Sequence, residues 1–490
     1  MTVATIPVLP PQPPAAARVR SATDGLRSAV TEAGGPLLLV GVALAVGAGV
    51  SLAPLPAFIG ALAIGLVVWV ATHPAHGVYL VVTITPLVAG IDRGSVIPVL
   101  RPNEAVAALV GAALLLRWLV RLRSTRDVTL RLTPLTTAML LLALASSVLP
   151  LLWLQVRNQP IASDDLLYTL TIWKFFGVFL IVRSAHLDER RIWHCLYLSV
   201  GVAVVVAIVA ILQAMHVGPV ISLLGNYYTT NNNVNALGNS RGSSLLALPI
   251  AVADLLSFNL AVLVGIMWVR RRTSPLLGVG VLILLAGVVS AAEFSGVLGL
   301  AIGIIAVCAV TGSVKILRYV VPGAVFAVVV LWPVIQTRLM GFHSTYGLPQ
   351  SWTGRLVNLR TYFWPTLFSH DHFVLGVRPA ARIVAPHRAN GFIWIESGYT
   401  WLLWAGGIPL LLAFCYFAVT AGRSGMRAVR SGLPARRVAG LGGVAAITIT
   451  SVLMIFDPHL TYRGSADSLF VLLALSAPAV RHVQAGDSHG

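Results

Sequence analysis

The stretch 351–409, SWTGRLVNLRTYFWPTLFSHDHFVLGVRPAARIVAPHRANGFIWIESGYTWLLWAGGIP, holds the side chains best suited to chemistry. Arg355, Arg360, Arg378, Arg382 and Arg388 stand there with His370, His372 and His387, against Asp371 and Glu396 as the acids. Arginine's planar fork donates two hydrogen bonds at once and suits phosphate and diphosphate. The first two arginines and the three that follow Gly376-Val377 could cup one anion from two segments; the plainer reading is a wet loop whose arginines meet lipid head groups. His387 could act as a base near neutral pH, or simply bond backbone. Glu396, heading an apolar run, either complements a helix dipole or, partly desolvated, takes up a proton. Glu293 turns a short hairpin and is either a bland turn residue or a member of the same site. The spacing of His370-Asp371-His372, with one carboxylate and no further ligand set, points away from a metal. No Gly-rich phosphate loop carrying Lys-Ser or Lys-Thr is present, so no nucleotide-driven pump is indicated. We expect no metal and no cofactor.

These residues need a scaffold, and composition defines it. The chain has 490 residues, 57% hydrophobic and only 10% charged, with mean hydropathy +0.87. Soluble domains carry roughly 25% charged residues. The apolar runs are continuous rather than alternating, which excludes a barrel and predicts an all-α polytopic membrane protein of about 12–14 transmembrane helices. The predicted spans are 36–53, 57–72, 78–91, 103–120, 133–153, 166–182, 192–215, 244–269, 275–291, 295–311, 320–335, 399–420, 438–456 and 468–480. Cys195, Cys308 and Cys415 all fall within them, so no disulfide framework is expected. Ser163-Asp164-Asp165 reads as a helix start rather than a catalytic acid pair. Lys174 and Asp254 are ionisable groups inside spans, costly unless paired; they could pair with each other or relay protons in a transporter.

The formal charge of +18 suggests nucleic acid until its distribution is read. Most Lys and Arg fall in the tails and in the loops after spans four, six, eight, ten and twelve, which the positive-inside rule places in the cytoplasm. No nucleic-acid partner is expected. The Asn-rich loop 216–243, the Glu293 turn and the long loop then share the outer face. We expect a disordered cytoplasmic tail (1–35), a transmembrane bundle (36–335), a large extracytoplasmic catalytic loop between spans eleven and twelve (336–398), C-terminal transmembrane helices (399–482) and a cytoplasmic tail (483–490). Both termini would be cytoplasmic and the membrane the plasma membrane.

Two stretches resemble the O-antigen ligase and polymerase family of membrane glycosyltransferases. Thr353-Gly-Arg355-Leu with Leu375-Gly-Val-Arg378-Pro is similar to that family's outer loop, a Ser-Gly-Arg-Leu element followed by a Gly-Val-Gly-Pro turn. The segment returning to the membrane resembles its His-Asn-x-Tyr-Leu element in two registers. One starts at His387; the other, which fits Tyr399, Leu403 and Gly407-Ile-Pro better, starts at Glu396. Weaker echoes are Gly238-Asn-Ser-Arg241-Gly, and Ser295-Gly296 behind Glu293-Phe294, where the family has Ser-Arg-Gly. The resemblance implies inverting, metal-independent glycan transfer on the outer face, from a polyprenyl-diphosphate-linked oligosaccharide to a saccharide or glycolipid acceptor. It implies that Arg355, Arg378 and Arg241 or Arg388 hold the diphosphate, with Glu396 or His387 as base. Arg360, Arg382, Tyr399 and Glu293 would support them, and membrane lipid would surround the bundle. The competing expectations are a secondary transporter or flippase of an anionic or lipid-linked substrate, and an inactive subunit of a surface-polysaccharide assembly.

Overall fold

The computed structural model describes residues 54–95, 100–125, 132–228, 241–271, 274–339, 350–385 and 391–478. The expected tails and the span 36–53 lie outside the described residues. The remaining apolar runs are helices. The first helices along the chain are α1 (Pro54–Thr72), α2 (Pro74–Val88), α3 (Pro102–Thr125), α4 (Pro134–Val156), α5 (Ser163–Ser184) and α6 (Glu189–Ala214). After a short α7 (Gly218–Tyr227) come α8 (Pro249–Arg270), α9 (Pro275–Ser290), α10 (Phe294–Thr311), α11 (Leu317–Val330) and α12 (Trp332–Leu339). Proline at the first helical turn recurs, as it should where the N–H has no partner. Side-chain caps from Thr133, Asp188 and Ser274 accept from Thr136, Arg191 and Leu277 N.

Eight described helices are long and apolar enough to cross a membrane: α3, α4, α5, α6, α8, α10 and the later α16 (Gly398–Val429) and α17 (Pro434–Leu453). The other predicted spans among the described residues coincide with apolar helices of 10–17 residues. The chain is an all-α polytopic membrane protein. Helix α8 is its centre: 94% of its apolar window is buried, against 17% for α3.

The long loop departs from expectation because it is largely helical. It contains α13 (Gln350–Asn358), a π turn (Leu359–Phe363), α14 (Trp364–Phe368) and α15 (His372–Leu375), then the antiparallel pair β1 (Arg382–Val384) and β2 (Phe392–Trp394). Leu359, Phe363 and Leu367 recur at helical spacing and are buried, so an apolar stripe folds this segment onto the bundle. Two further differences have similar causes. The basic run after residue 420 continues α16 (Gly398–Val429), since Ala, Arg and Met are good helix formers. The Asn-rich loop opens with α7.

Helix α16 is followed by α17 (Pro434–Leu453) and α18 (Ser465–Ser476). Within α16 the ladder breaks at Gly407, whose φ of 65° and ψ of −157° are non-helical, and Pro409 has no N–H to donate. The Trp404 carbonyl freed there accepts from Val377 N at 2.7 Å and Arg378 N at 3.2 Å. Trp404 Nε1 donates back to Ala380 O at 3.0 Å. A Cβ on Gly407 would stand 2.3 Å from Val374 O, so only glycine permits this contact. The broken helix is what anchors the 375–380 turn.

Candidate functional site

At one end of the bundle, three chain-distant segments meet around Arg355. The one-turn spacing of Trp352, Arg355 and Asn358 puts them on one face of α13. Trp352 packs on Phe456 with ring centroids 4.9 Å apart. Arg355 Nη2 stands 2.9 Å from Asp457 Oδ2 and its Nε 4.0 Å from Glu396 Oε1. Asn358 Nδ2 donates to Glu396 Oε2 at 3.1 Å.

The approach of Glu396 to Asp457 is built into the backbone. Ser397 caps α16 by accepting from Thr400 N. Tyr399 N donates to Met454 O at 3.1 Å, and Tyr399 Oη donates to Ser451 O at 2.7 Å. A Cβ on Gly398 would come within 2.9 Å of Asp457 O. Tyr399 is therefore a strut between α16 and the end of α17.

Behind this group, in the turn after α17, His459 Nδ1 and Asp254 Oδ2 of α8 are 2.7 Å apart, with both side chains out of solvent. Tyr462 lies edge-on to His459, centroids 5.4 Å apart, and its hydroxyl sits in the field of the Asp457 carboxylate. Burial pushes the Asp457 carboxyl up to about 6, Arg355 and His459 pull it down, and the charges of Glu396 and Glu293 push it further up. Glu293, whose charge reaches Asp457, is paired with Arg241, whose Nη1 stands 3.3 Å from its Oε1. The site combines two guanidinium groups, three carboxylates and a buried Asp–His pair. Ser257, one turn along α8 from Asp254, borders a small apolar hollow of about 20 Å³ lined further by Leu260, Leu300 and Val307.

Arg378 and Arg382 are elsewhere. Arg378 grips Asp165 with two bonds, Nε to Oδ1 at 3.1 Å and Nη2 to Oδ2 at 2.6 Å. Asp165 also accepts from Ala162 N and Ala380 N and is fully buried. Arg382 Nε donates to Asp164 Oδ2 at 2.5 Å, and its guanidinium lies 3.9 Å over the Phe392 ring, beside Trp394. This corrects the expectation that Arg378 joins Arg355 around one anion. The helix-start reading of Asp164-Asp165 holds, but these acids also fasten the loop.

Of the other expected site residues, Arg355, Glu396, Glu293 and Arg241 converge, with Tyr399 supporting. Arg360 is exposed on the π turn. His387 and Arg388 lie outside the described residues. The suggested Lys174–Asp254 pair is not formed: Asp254 is taken by His459, and Lys174 sits in the fields of Asp467 and Glu104. Asp457, His459 and Tyr462 were missed as site residues. Two signals were available: Asp-Pro-His in a connector on the long loop's side, and an Asp254 inside a span that needed a partner. Among the described residues no group of three or more His, Cys, Asp or Glu side chains could hold a metal ion.

No family model matches the chain, and no curated protein matches it in sequence.

Proposed function

We propose that the chain is a glycosyltransferase of the O-antigen ligase and polymerase kind, working at the outer face of the plasma membrane on a polyprenyl-diphosphate-linked saccharide. The observation that carries this reading is the Arg355–Glu396–Asp457 constellation, assembled from α13, the start of α16 and the turn after α17. It joins a candidate diphosphate ligand to a candidate base.

In the reaction, the acceptor hydroxyl oxygen attacks the anomeric carbon, the bond from that carbon to the diphosphate oxygen breaks, and the hydroxyl proton passes to the Glu396 carboxylate. Glu396 is suited to this because its side chain is 34% exposed while Asn358 and Arg355 fix its orientation. Arg355 and Arg241 stabilise the charge that develops on the departing diphosphate. Both already face carboxylates, so the arriving anion must compete with Asp457 and Glu293. A proton on Asp457 relieves that competition at Arg355. Arg378 has no part in this chemistry.

The test is transfer from a labelled lipid-linked donor in membranes carrying the full chain. Arg355→Ala and Glu396→Ala should each abolish transfer with the protein still present in the membrane; full activity in both rejects the site. The second reading is proton-coupled translocation, favoured by the buried Asp254–His459 pair. It predicts movement of intact lipid-linked saccharide across the bilayer with no new glycosidic bond.

A further inference from the structure

A second charged cluster lies away from Arg355. It is built from residues 89–95 and 100–104, α5 and the residues leading into α18. Arg93 Nη2 donates to both carboxylate oxygens of Glu104, at 3.1 and 3.0 Å. Arg101 N donates to the same carboxylate at 3.2 Å, while Arg101 Nη1 stands 3.7 Å from Oε1. Arg463 reaches the segment from the other side, its Nη1 donating to Ala89 O at 3.2 Å. A Cβ on Gly464 (φ +80°) would stand 3.3 Å from the Ala89 Cβ, which shows how closely the two strands of chain run. Lys174 of α5 feels Asp467, Glu104, Arg463 and Arg101.

The cluster sets four cations, Arg93, Arg101, Arg463 and Lys174, against three carboxylates, Glu104, Asp467 and Asp92, the last acting on Arg101 and Arg463. Glu104 is shared between two arginines, and Asp467 accepts from Gly464 N at 3.0 Å. Among the described residues no carboxylate stands within ion-pair distance of Arg463 or Lys174. Burial, and next the neighbouring Arg101, push Arg463 down to about 10. Polar atoms are left over as well. Arg93 Nε and Arg101 Nε are buried without hydrogen-bond partners, and so are both Oδ1 and Nδ2 of Asn103, a residue 1% exposed. Buried cations and amides of this kind are costly until an anion with several acceptor oxygens satisfies them.

We propose that Arg101, Arg463 and Lys174, with Asn103 as a further donor, bind the phosphate group of a lipid. Phosphate supplies the multiple acceptors and the charge that the cluster lacks. Resting on the transfer reading, the ligand is the phosphate or diphosphate of a second substrate, so that both donor and acceptor are lipid phosphates. The same chemistry could come from an anionic phospholipid of the bilayer.

The experiment measures binding of farnesyl diphosphate to the purified full chain in neutral detergent, with farnesol and dioleoylphosphatidylglycerol as comparison ligands. Arg463→Gln and Lys174→Met should each weaken farnesyl diphosphate binding roughly tenfold or more, Arg463→Lys less, and farnesol binding should not change. Variants are compared only where they elute as native protein; Arg463→Lys keeps the charge and serves if Arg463→Gln does not fold. Unchanged affinity in the Arg463 and Lys174 variants overturns the site. Equal competition by dioleoylphosphatidylglycerol overturns its assignment to a second substrate. Absence of saccharide transfer would reject the transfer reading and leave this binding result untouched, so the two failures are distinguishable.

Discussion

Replacing Asp165 by Ala tests the reassignment of Arg378 from substrate ligand to structural tie. Asp165 accepts four hydrogen bonds, two from Arg378 and one each from Ala162 N and Ala380 N. Leaving the buried Ala380 N–H without a partner costs about 1–3 kcal/mol. Losing the acid from the first turn of α5 adds up to about 1 kcal/mol. Removing one partner of a fully buried ion pair would cost about 3–5 kcal/mol, because it strands the other charge. Arg378 is 38% exposed and regains water, which cuts that term to about 1 kcal/mol. Asp165→Ala should therefore destabilise the chain by about 2–5 kcal/mol in all. Arg378→Gln should cost about 2–4 kcal/mol, because it strands a buried carboxylate that keeps its two backbone donors. Unfolding of the purified chain in detergent, run as a double-mutant cycle, should give a coupling of about 1–2 kcal/mol between the two sites. Transfer per folded Arg378→Gln molecule should match the unaltered chain. A coupling below about 0.5 kcal/mol, or loss of transfer with stability intact, would refute the structural assignment.

Three other outcomes follow from the geometry. Burial raises the Asp457 carboxyl from its usual 3.8 to about 6, so the folded state binds this proton more tightly than the unfolded chain. The associated stability, on the order of 2–3 kcal/mol, is fully present below pH 4 and lost as pH rises through 6; Asp457→Asn should flatten that part of the stability–pH curve, and an unchanged curve counts against the burial argument. Gly407→Ala should fail to give folded protein by size-exclusion in detergent, because of its positive φ and the 2.3 Å approach to Val374 O, whereas Gly422→Ala, with nothing within 4 Å, should behave as the unaltered chain. Gly398→Ala should lower transfer by displacing Glu396, and adding Met454→Ala should not restore it, since Asp457 O remains 2.9 Å from the new methyl; full rescue would show that only the Met454 side chain matters.

Much of the bundle was legible because lipid allows few solutions. Apolar runs became helices, their ends marked by Pro102, Pro134, Pro249 and Pro275. Arg355 and Glu396 were legible as functional candidates because charged residues stand out against an apolar chain. Asp457 and His459 were not, since their roles depend on a turn that packs under a loop about a hundred residues earlier in the chain. The destination of Arg378 was equally hidden. Its spacing from Arg355 suggested a shared anion, whereas its partner Asp165 lies 213 residues upstream. The helical character of the 350–375 stretch was masked by its charges, although Leu359, Phe363 and Leu367 already carried the periodicity.

The break at Gly407 has a consequence for the order in which the chain matures. Until the 375–380 turn docks, the Trp404 carbonyl has neither its helical donor nor Val377 and Arg378 N–H to accept from. An unpaired carbonyl near a bilayer costs several kcal/mol, so α16 inserted alone would be held short of its final depth or shape. The preceding loop then acts as a folding partner in cis, supplied before the helix leaves the ribosome. Grafting α16 behind an unrelated linker should yield a helix that inserts poorly and is cleared by quality-control proteases.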